Sequence, residues 1–379
     1  MKEGWKMVKL GDVCETSAGG TPSKTHKEYY ENGNIPWLNS GEVCQKYILK
    51  VEHYITTEGL NNSSAKLFPL NSVVIAMYGA TAGQVGILKI ETSTNQAVCA
   101  ILPNERIIPE LLYYYFLFYK NILVKQAVGN AQPNISQQKI KSIEIPLLSL
   151  EEQHRIVSIL DASFEKIDAL KKNAEENLKN AKALFQQVLA QELKPKEGWV
   201  EKKLGEVSKE IFAGGDAPKQ NMSKTITEQY PIPIYANAVE EDGLYGFTNN
   251  ARVNEPAITI AARGSGTGYV LRRKVPFLPI VRLIVIIPNP SIEMDYMYYA
   301  LKSINIRKAG AAIPQLTVPM LREYKISFPI DIKEQHRIVQ TLDTLSEKCR
   351  RLEEVAQQTI RECDALKQSI LRQAFSGEL

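Results

Sequence analysis

The feature that most constrains this 379-residue chain is that one unit is written twice. Gly4-Trp5 returns as Gly198-Trp199, and Leu10-Gly11-Asp12-Val13 as Leu204-Gly205-Glu206-Val207, both 194 residues later. Ala18-Gly19-Gly20 returns as Ala213-Gly214-Gly215. At an offset of 185, Gly79, Gly83, Ile101, Pro103, Asn104 and Tyr113-Tyr114 match Gly264, Gly268, Ile286, Pro288, Asn289 and Tyr298-Tyr299. Gly129, Ala131 and Pro133 match Gly310, Ala312 and Pro314, and residues 152–157, Glu-Gln-His-Arg-Ile-Val, return unchanged as 334–339. The order never breaks, so the chain is a duplication. Each half is a module of about 145 residues followed by a long helix.

The helices are legible from their starts and their period. Ser149-Leu150-Glu151-Glu152 is a capping box, Asp331-Ile332-Lys333-Glu334 is its acidic counterpart, and Pro146 and Pro329 stand just before them. Ile338, Leu345, Leu352, Thr359 and Leu366 recur every seven residues, with Leu342, Cys349, Ala356, Cys363 and Ile370 four behind. The same register in the first helix gives Ile156, Ser163, Leu170, Asn177 and Leu184 with Leu160, Ile167, Ala174, Ala181 and Val188. Two such stripes are expected to bury each other as a coiled coil. Its seam would hold Leu160, Ile167, Leu170, Leu184, Val188, Leu342, Leu345, Leu352, Leu366 and Ile370. Small residues allow close approach and Asn177 helps set the register. Each helix is about 60 Å long. A parallel pair would force the second module to span that length, so the expected pairing is antiparallel, a pseudo-twofold dumbbell with Met1 and Leu379 near one end.

The modules read as mixed α/β. Residues 73–77, 97–102, 257–260 and 280–287 are rich in β-branched side chains, as strands are, and 109–118 and 293–302 read as short helices with tyrosine stripes. The fold class is therefore α+β: modules at 1–148 and 194–330, helices at 149–193 and 331–379. Charge follows the same division. The modules carry net +2 and +5, the helices −2 and −1. Basic modules on acidic rods suit polyanion binding.

Several classes of function are excluded or weakened. No run of eighteen apolar residues exists, and the first residues lack the apolar stretch of a signal peptide. Five cysteines without a CxxC pair argue against a disulfide framework or a zinc site, so a reduced, cytoplasmic protein is expected. The four histidines form no HExxH or triad pattern, and no metal is expected. Gly264-Ser265-Gly266-Thr267 superficially matches an S-adenosylmethionine turn of amino-methyltransferases. It lacks the preceding Asp-Pro-Phe, the chain has no Pro-Pro dipeptide, and the sister copy at 79–83 loses the match. A glycine turn between strands is the better reading. Gly19-Gly20-Thr21-Pro22-Ser23-Lys24 lacks Walker spacing and reads as a turn with a basic tip.

What remains is binding. Candidate DNA contacts are Lys24, Lys27, Asn39, Lys46, Lys50, Asn61, Asn62 and Lys66 in the first module. In the second they are Lys219, Lys224, Asn237, Arg252, Arg263, Arg272, Arg273 and Lys274. Arginine and asparagine suit base edges and lysine suits phosphates. The twice-present box Glu152, Gln153, His154, Arg155 and Glu334, Gln335, His336, Arg337 is a candidate docking surface for a partner met twice, against the plainer reading of local packing.

The ordered set of 35–43 (Ile-Pro-Trp-Leu-Asn-Ser-Gly-Glu-Val), 132–136 (Gln-Pro-Asn-Ile-Ser), Pro146 before Glu152-Gln153-His154-Arg155, and 375–379 (Phe-Ser-Gly-Glu-Leu) resembles the specificity subunit of type I restriction-modification systems. The likeness covers the whole chain. It departs at 232–237 and 312–315, where the second copy differs from the first. The resemblance implies that each module is a target-recognition domain reading half of a bipartite double-stranded DNA site. It implies that the helices are a spacer and a dock for two modification subunits, which carry S-adenosylmethionine and methylate adenine, with separate restriction/translocase subunits. The chain itself would be non-catalytic, without cofactor or metal. The alternatives are a self-contained DNA methyltransferase and a coiled-coil scaffold with protein-binding modules.

Overall fold

The computed structural model describes residues 5–126, 135–264, 266–304 and 316–379. The expected repeats around Gly129, Ala131 and Pro133, those around Gly310, Ala312 and Pro314, the 132–134 part of the family pattern, and Ser265 lie outside the described residues. The chain forms two compact units, residues 1–175 with 358–379, and residues 176–357.

In the first unit a five-stranded sheet runs in the order Thr16–Ala18, Val98–Ile101, Val73–Ala76, Val85–Leu88, Tyr47–Ile48, antiparallel except for the last pair. Its three central strands are buried on both faces, which is why they read as unbroken apolar runs. Alternate residues serve two cores. Ile75, Ile87, Cys99 and Ile101 face the helix Pro109–Gln126 and the long helices, while Val74, Ala76, Leu88 and Val98 pack with Leu38, Val43 and Phe68. A second sheet, Tyr54–Ile55, Ile35–Leu38, Thr92–Thr94, Leu67–Phe68, covers that far side. A ribbon of Lys6–Lys9 with Glu144–Leu147 joins the ends of the module and delivers the chain to the helix Leu150–Glu192.

The second unit repeats this plan. Its main sheet runs Ser208–Ala213, Ile284–Pro288, Ala257–Ile260, Val270–Arg273, and its closing ribbon is Trp199–Lys203 with Lys325–Pro329. The second sheet, Met222–Ser223, Leu244–Thr248, Ile232–Tyr235, Leu278–Pro279, is where the two copies diverge most. One expectation is corrected. Residues 280–287 are not a single strand, because Ile280 accepts a hydrogen bond from Leu283 N and a turn intervenes before Ile284–Pro288. Chain reversal overrides β-propensity there.

Both long helices are present, Leu150–Glu192 and Ile332–Ser376. Within the first unit they pair antiparallel: Lys171 meets Asp364 at 2.7 Å, Asp168 meets Lys367, and Arg155 reaches the Leu379 carbonyl at 2.8 Å. Within the second unit Glu192, at the end of one helix, meets Arg337, near the start of the other, at 2.9 Å. The seam differs from the expected one. Leu160, Ile167, Ala174, Ala181, Leu342, Cys349, Ala356 and Cys363 are buried, and Val188, Leu345 and Ile370 half-buried. Leu170, Leu184, Leu352 and Leu366 are 51%, 45%, 54% and 47% exposed, and Asn177 is exposed too. The small side chains form the buried row, and the larger leucines beside them face solvent. The core of the second unit also takes in Leu189, one residue past the expected last seam position.

Candidate nucleic-acid interface

The structure sorts the basic candidates by whether their charge is already spent inside the protein. Lys46 bonds Asp161 and donates to the Tyr114 hydroxyl at 3.3 Å, joining the first module to its helix. Arg272 does the same in the second unit, with Asp343 at 2.9 Å, Asp295 at 3.1 Å and the Tyr298 ring at 4.5 Å. Lys274 pairs with Asp295 at 3.0 Å. Arg273 is buried, donating to Thr259 Oγ1 at 3.1 Å and to the Asp242 carbonyl at 2.6 Å, and burial holds its pKa below the usual arginine value. Lys274 is exposed and its ion pair lies at the surface, while Lys46, Arg272 and Arg273 are placed as structural cations. The sequence could not separate them from surface ones, because the partners lie as far as 115 residues away.

Others are partly engaged. Lys66 donates to Ser17 Oγ at 3.2 Å, Lys224 to the Tyr245 carbonyl at 3.1 Å, and Arg252 to the Ala213 carbonyl at 3.4 Å. Asn237 accepts from the backbone of Ala262 and Arg263 and donates to the Arg263 carbonyl at 2.9 Å, so it shapes a loop. Asn62 donates to the Glu58 carbonyl at 3.0 Å, and Asn61 ends the short helix Thr57–Asn61. Lys24, Lys27, Lys50, Lys219 and Arg263 are exposed. Their side chains make no hydrogen bond or ion pair among the described residues.

In the first unit three candidates converge. Lys24, Lys27 and Asn39 line a cavity of about 440 Å³ with Tyr30, Glu31, Trp37 and His53. Its wall is rigid. Trp37 Nε1 donates to the Gly20 carbonyl at 3.0 Å, the Tyr30 hydroxyl to the Pro22 carbonyl at 2.5 Å, and the Tyr30 and Trp37 rings meet edge-on at 5.8 Å. Gly20 has to be glycine, since a Cβ would lie 2.2 Å from the Ala65 nitrogen. The Gly-Gly turn with its basic tip is thus held by an indole, and Tyr30, Trp37 and His53 share the cavity without having been among the sequence candidates. Asn39 is anchored by Asn95 Nδ2 at 3.0 Å and by its own N–H to Glu42 at 2.8 Å. Glu42, Glu52 and His53 bring three possible ligand atoms within 4.8 Å. Both Glu42 oxygens already accept backbone hydrogens, from Asn39 and Glu52, so the trio locks a loop.

The repeated box divides by residue. Gln153 and Gln335 are fully buried. Gln153 donates to the Arg106 and Leu148 carbonyls at 2.8 and 3.0 Å and accepts from Ile108 N at 2.9 Å. Gln335 donates to the Pro329 and Ser291 carbonyls and accepts from Glu293 N at 2.7 Å. Each amide clamps a helix start to the loop ahead of a module helix, so neither is a docking surface. Arg155 grips Glu152 at 2.7 Å, and Arg337 grips Glu334 at 2.8 Å. His154 and His336 are exposed. The glycine turn at 264–268 is matched bond for bond at 79–83: Thr267 N donates to the Gly264 carbonyl, and Ala82 N to the Gly79 carbonyl, both at 3.1 Å.

Residues 2–180 and 196–362 match the family described as type I restriction modification DNA specificity domain. A type I restriction enzyme specificity subunit of Escherichia coli is 34% identical over 47% of this chain and 44% of its own length. The MjaIX specificity subunit of Methanocaldococcus jannaschii is 26% identical over 89% of this chain and 86% of its own. Among solved structures, a chain from a type I R-M system aligns over 100% of this chain and 99% of its own, at TM-score 0.79 and 22% identity, a likeness of fold.

Proposed function

This chain belongs to the type I restriction-modification DNA specificity family, and we propose that each of its two modules reads one half of a bipartite double-stranded DNA site. The observation that carries this reading is the pairing of one frame with two surfaces. Four strands of the main sheets share their order and the closing ribbons correspond, yet the exposed cations and the second sheets differ between copies. One backbone serving two different surfaces is what reading two different half-sequences requires. The chain is a recognition subunit and not an enzyme. Among the described residues no helix is long and apolar enough to cross a membrane.

The long helices, we infer, dock two modification subunits and set the gap between half-sites. Those partners would hold S-adenosylmethionine and methylate adenine, and restriction/translocase subunits would join them in the cytoplasm. The flanking leucines, exposed on both helices, supply apolar surface for such docking. The test exchanges residues 1–148 for the first module of another family member. Methylated sites are then mapped in cells expressing the hybrid with its modification subunit. One half of the recognised site should change and the other persist. Simultaneous change of both halves would refute module-by-module reading.

A further inference from the structure

Two loops stand at matching places in the two modules. Gly79 and Gly83 have φ of 72° and 80°, and Gly264 and Gly268 have 84° each. A Cβ at Gly79 or Gly264 would meet nothing within 4 Å, so it is the left-handed backbone that asks for glycine there, not lack of space. Behind each loop the following segment bonds alike: Ile135 N to the Met77 carbonyl at 2.9 Å, Leu316 N to the Ala262 carbonyl at 2.8 Å. Strand pairing aligns the neighbouring turn as well, since Cys99 opposes Ala18 as Ile284 opposes Ala213. Tyr78 therefore corresponds to Arg263, and Ala97 to Arg282. At two equivalent posts the first module has a phenol and a methyl group, and the second has two guanidinium groups.

Both arginines line one groove of about 390 Å³ floored by Ala213, Ala262, Ile284 and Leu316. Among the described residues no carboxylate lines it. Both are exposed, and neither side chain has a hydrogen bond or ion pair among the described residues. Asn237 grips the backbone of Arg263 from two sides. Val281 and Arg282 take φ of 49° and 61°, where the matching turn, closed by Val98 N to the Asn95 carbonyl at 3.2 Å, uses no positive φ. A β-branched residue there is an outlier, and such strain gathers where a side chain must be aimed.

We propose that Arg263 and Arg282 are specificity-determining residues of the second module and that the groove takes the major-groove edge of a guanine. A guanidinium fork matches O6 and N7 of that base, and an apolar floor suits a base better than a phosphate. The inference rests on the DNA-reading function proposed above.

The test assembles the chain with its modification subunits and selects duplexes from a DNA pool randomised across the second half-site. The unsubstituted complex should enrich a G·C pair at one or more positions. Arg282→Asn, which tolerates the left-handed backbone, and Arg263→Ala should each abolish preference at one such position and weaken binding about 10- to 100-fold. Arg282→Lys, which loses the planar fork, should weaken the preference at that position. Thermal melting establishes that the variants fold. A second half-site without G·C, or an unchanged motif in Arg282→Asn, would overturn the assignment. So would a uniform loss across sequences that Lys repairs, since that marks a phosphate contact. An unsubstituted complex that selects no sequence would instead overturn the DNA-reading proposal itself.

Discussion

The Tyr299 hydroxyl donates to Asp343 at 2.6 Å. The same bond joins Tyr114 to Asp161 in the other half, and each carboxylate also takes a module cation, Arg272 or Lys46. The duplication thus preserves a polar joint between each module and its helix while the cation itself has changed. Tyr299→Phe is expected to cost about 1 kcal/mol, the net worth of one hydrogen bond. Asp343→Ala should cost roughly 1–2 kcal/mol, kept low because that carboxylate is partly exposed and Arg272 retains Asp295. Arg272→Ala should leave the salt dependence of DNA binding intact. A flattened salt dependence in that variant would return Arg272 to the DNA surface.

Buried amides should matter more than their exposed neighbours. Gln335→Leu strands the Glu293 N–H and two carbonyls, and should lower stability by about 2–4 kcal/mol. His336→Ala should be nearly silent in a melt. Equal melting temperatures for the two variants would show that the amide clamp is not needed.

The position of the seam makes an ordering of variants. Ala356→Leu forces bulk into the buried row and should cost about 1–3 kcal/mol. Leu352→Asp, on the flank, should change stability little while weakening capture of the modification subunit. A melt in which Leu352→Asp is the more damaging variant would restore the leucine row to the interior.

Lys24 and Lys27 should act as phosphate contacts. Each alanine substitution is expected to reduce the slope of log K against log salt by about 1 and to weaken binding uniformly across sequences. Fluorescence anisotropy at several salt concentrations measures both. A change in base preference with an unaltered slope would assign them to the bases instead.

Alkali should unfold the protein early. Burial pushes the Tyr113 and Tyr47 hydroxyls up to about 12, helped by nearby carboxylates, Asp168 and Asp161 for Tyr113, Glu110 for Tyr47. Tyr114 and Tyr299 are raised further, first by burial and then by their bonds to Asp161 and Asp343. Unfolded tyrosines lose the proton near about pH 10. The unfolded state therefore binds fewer protons above that point, and stability, complete below it, falls as pH rises toward about 12. Urea midpoints at about pH 9 and about pH 11 test this. Identical midpoints would contradict it.

Local pattern was enough for the frame. The repeat order and the caps place the helices at 149–193 and 331–379, and the structure has them at Leu150–Glu192 and Ile332–Ser376. Caps, periodicity and β-branched runs act within a few residues, so they are written where they work. The site was legible only as a list of cations. Asp161 lies 115 residues from Lys46, and Asp343 lies 71 from Arg272, so whether a charge is neutralised or offered to a ligand depends on the packed chain. The seam shows the same limit. A seven-residue period marks two adjacent rows, and only the packed chain decides that Ala356 and Cys363 are buried while Leu352 and Leu366 face solvent. A sequence states which groups exist. Which of them still face water is set by contacts between residues far apart along the chain.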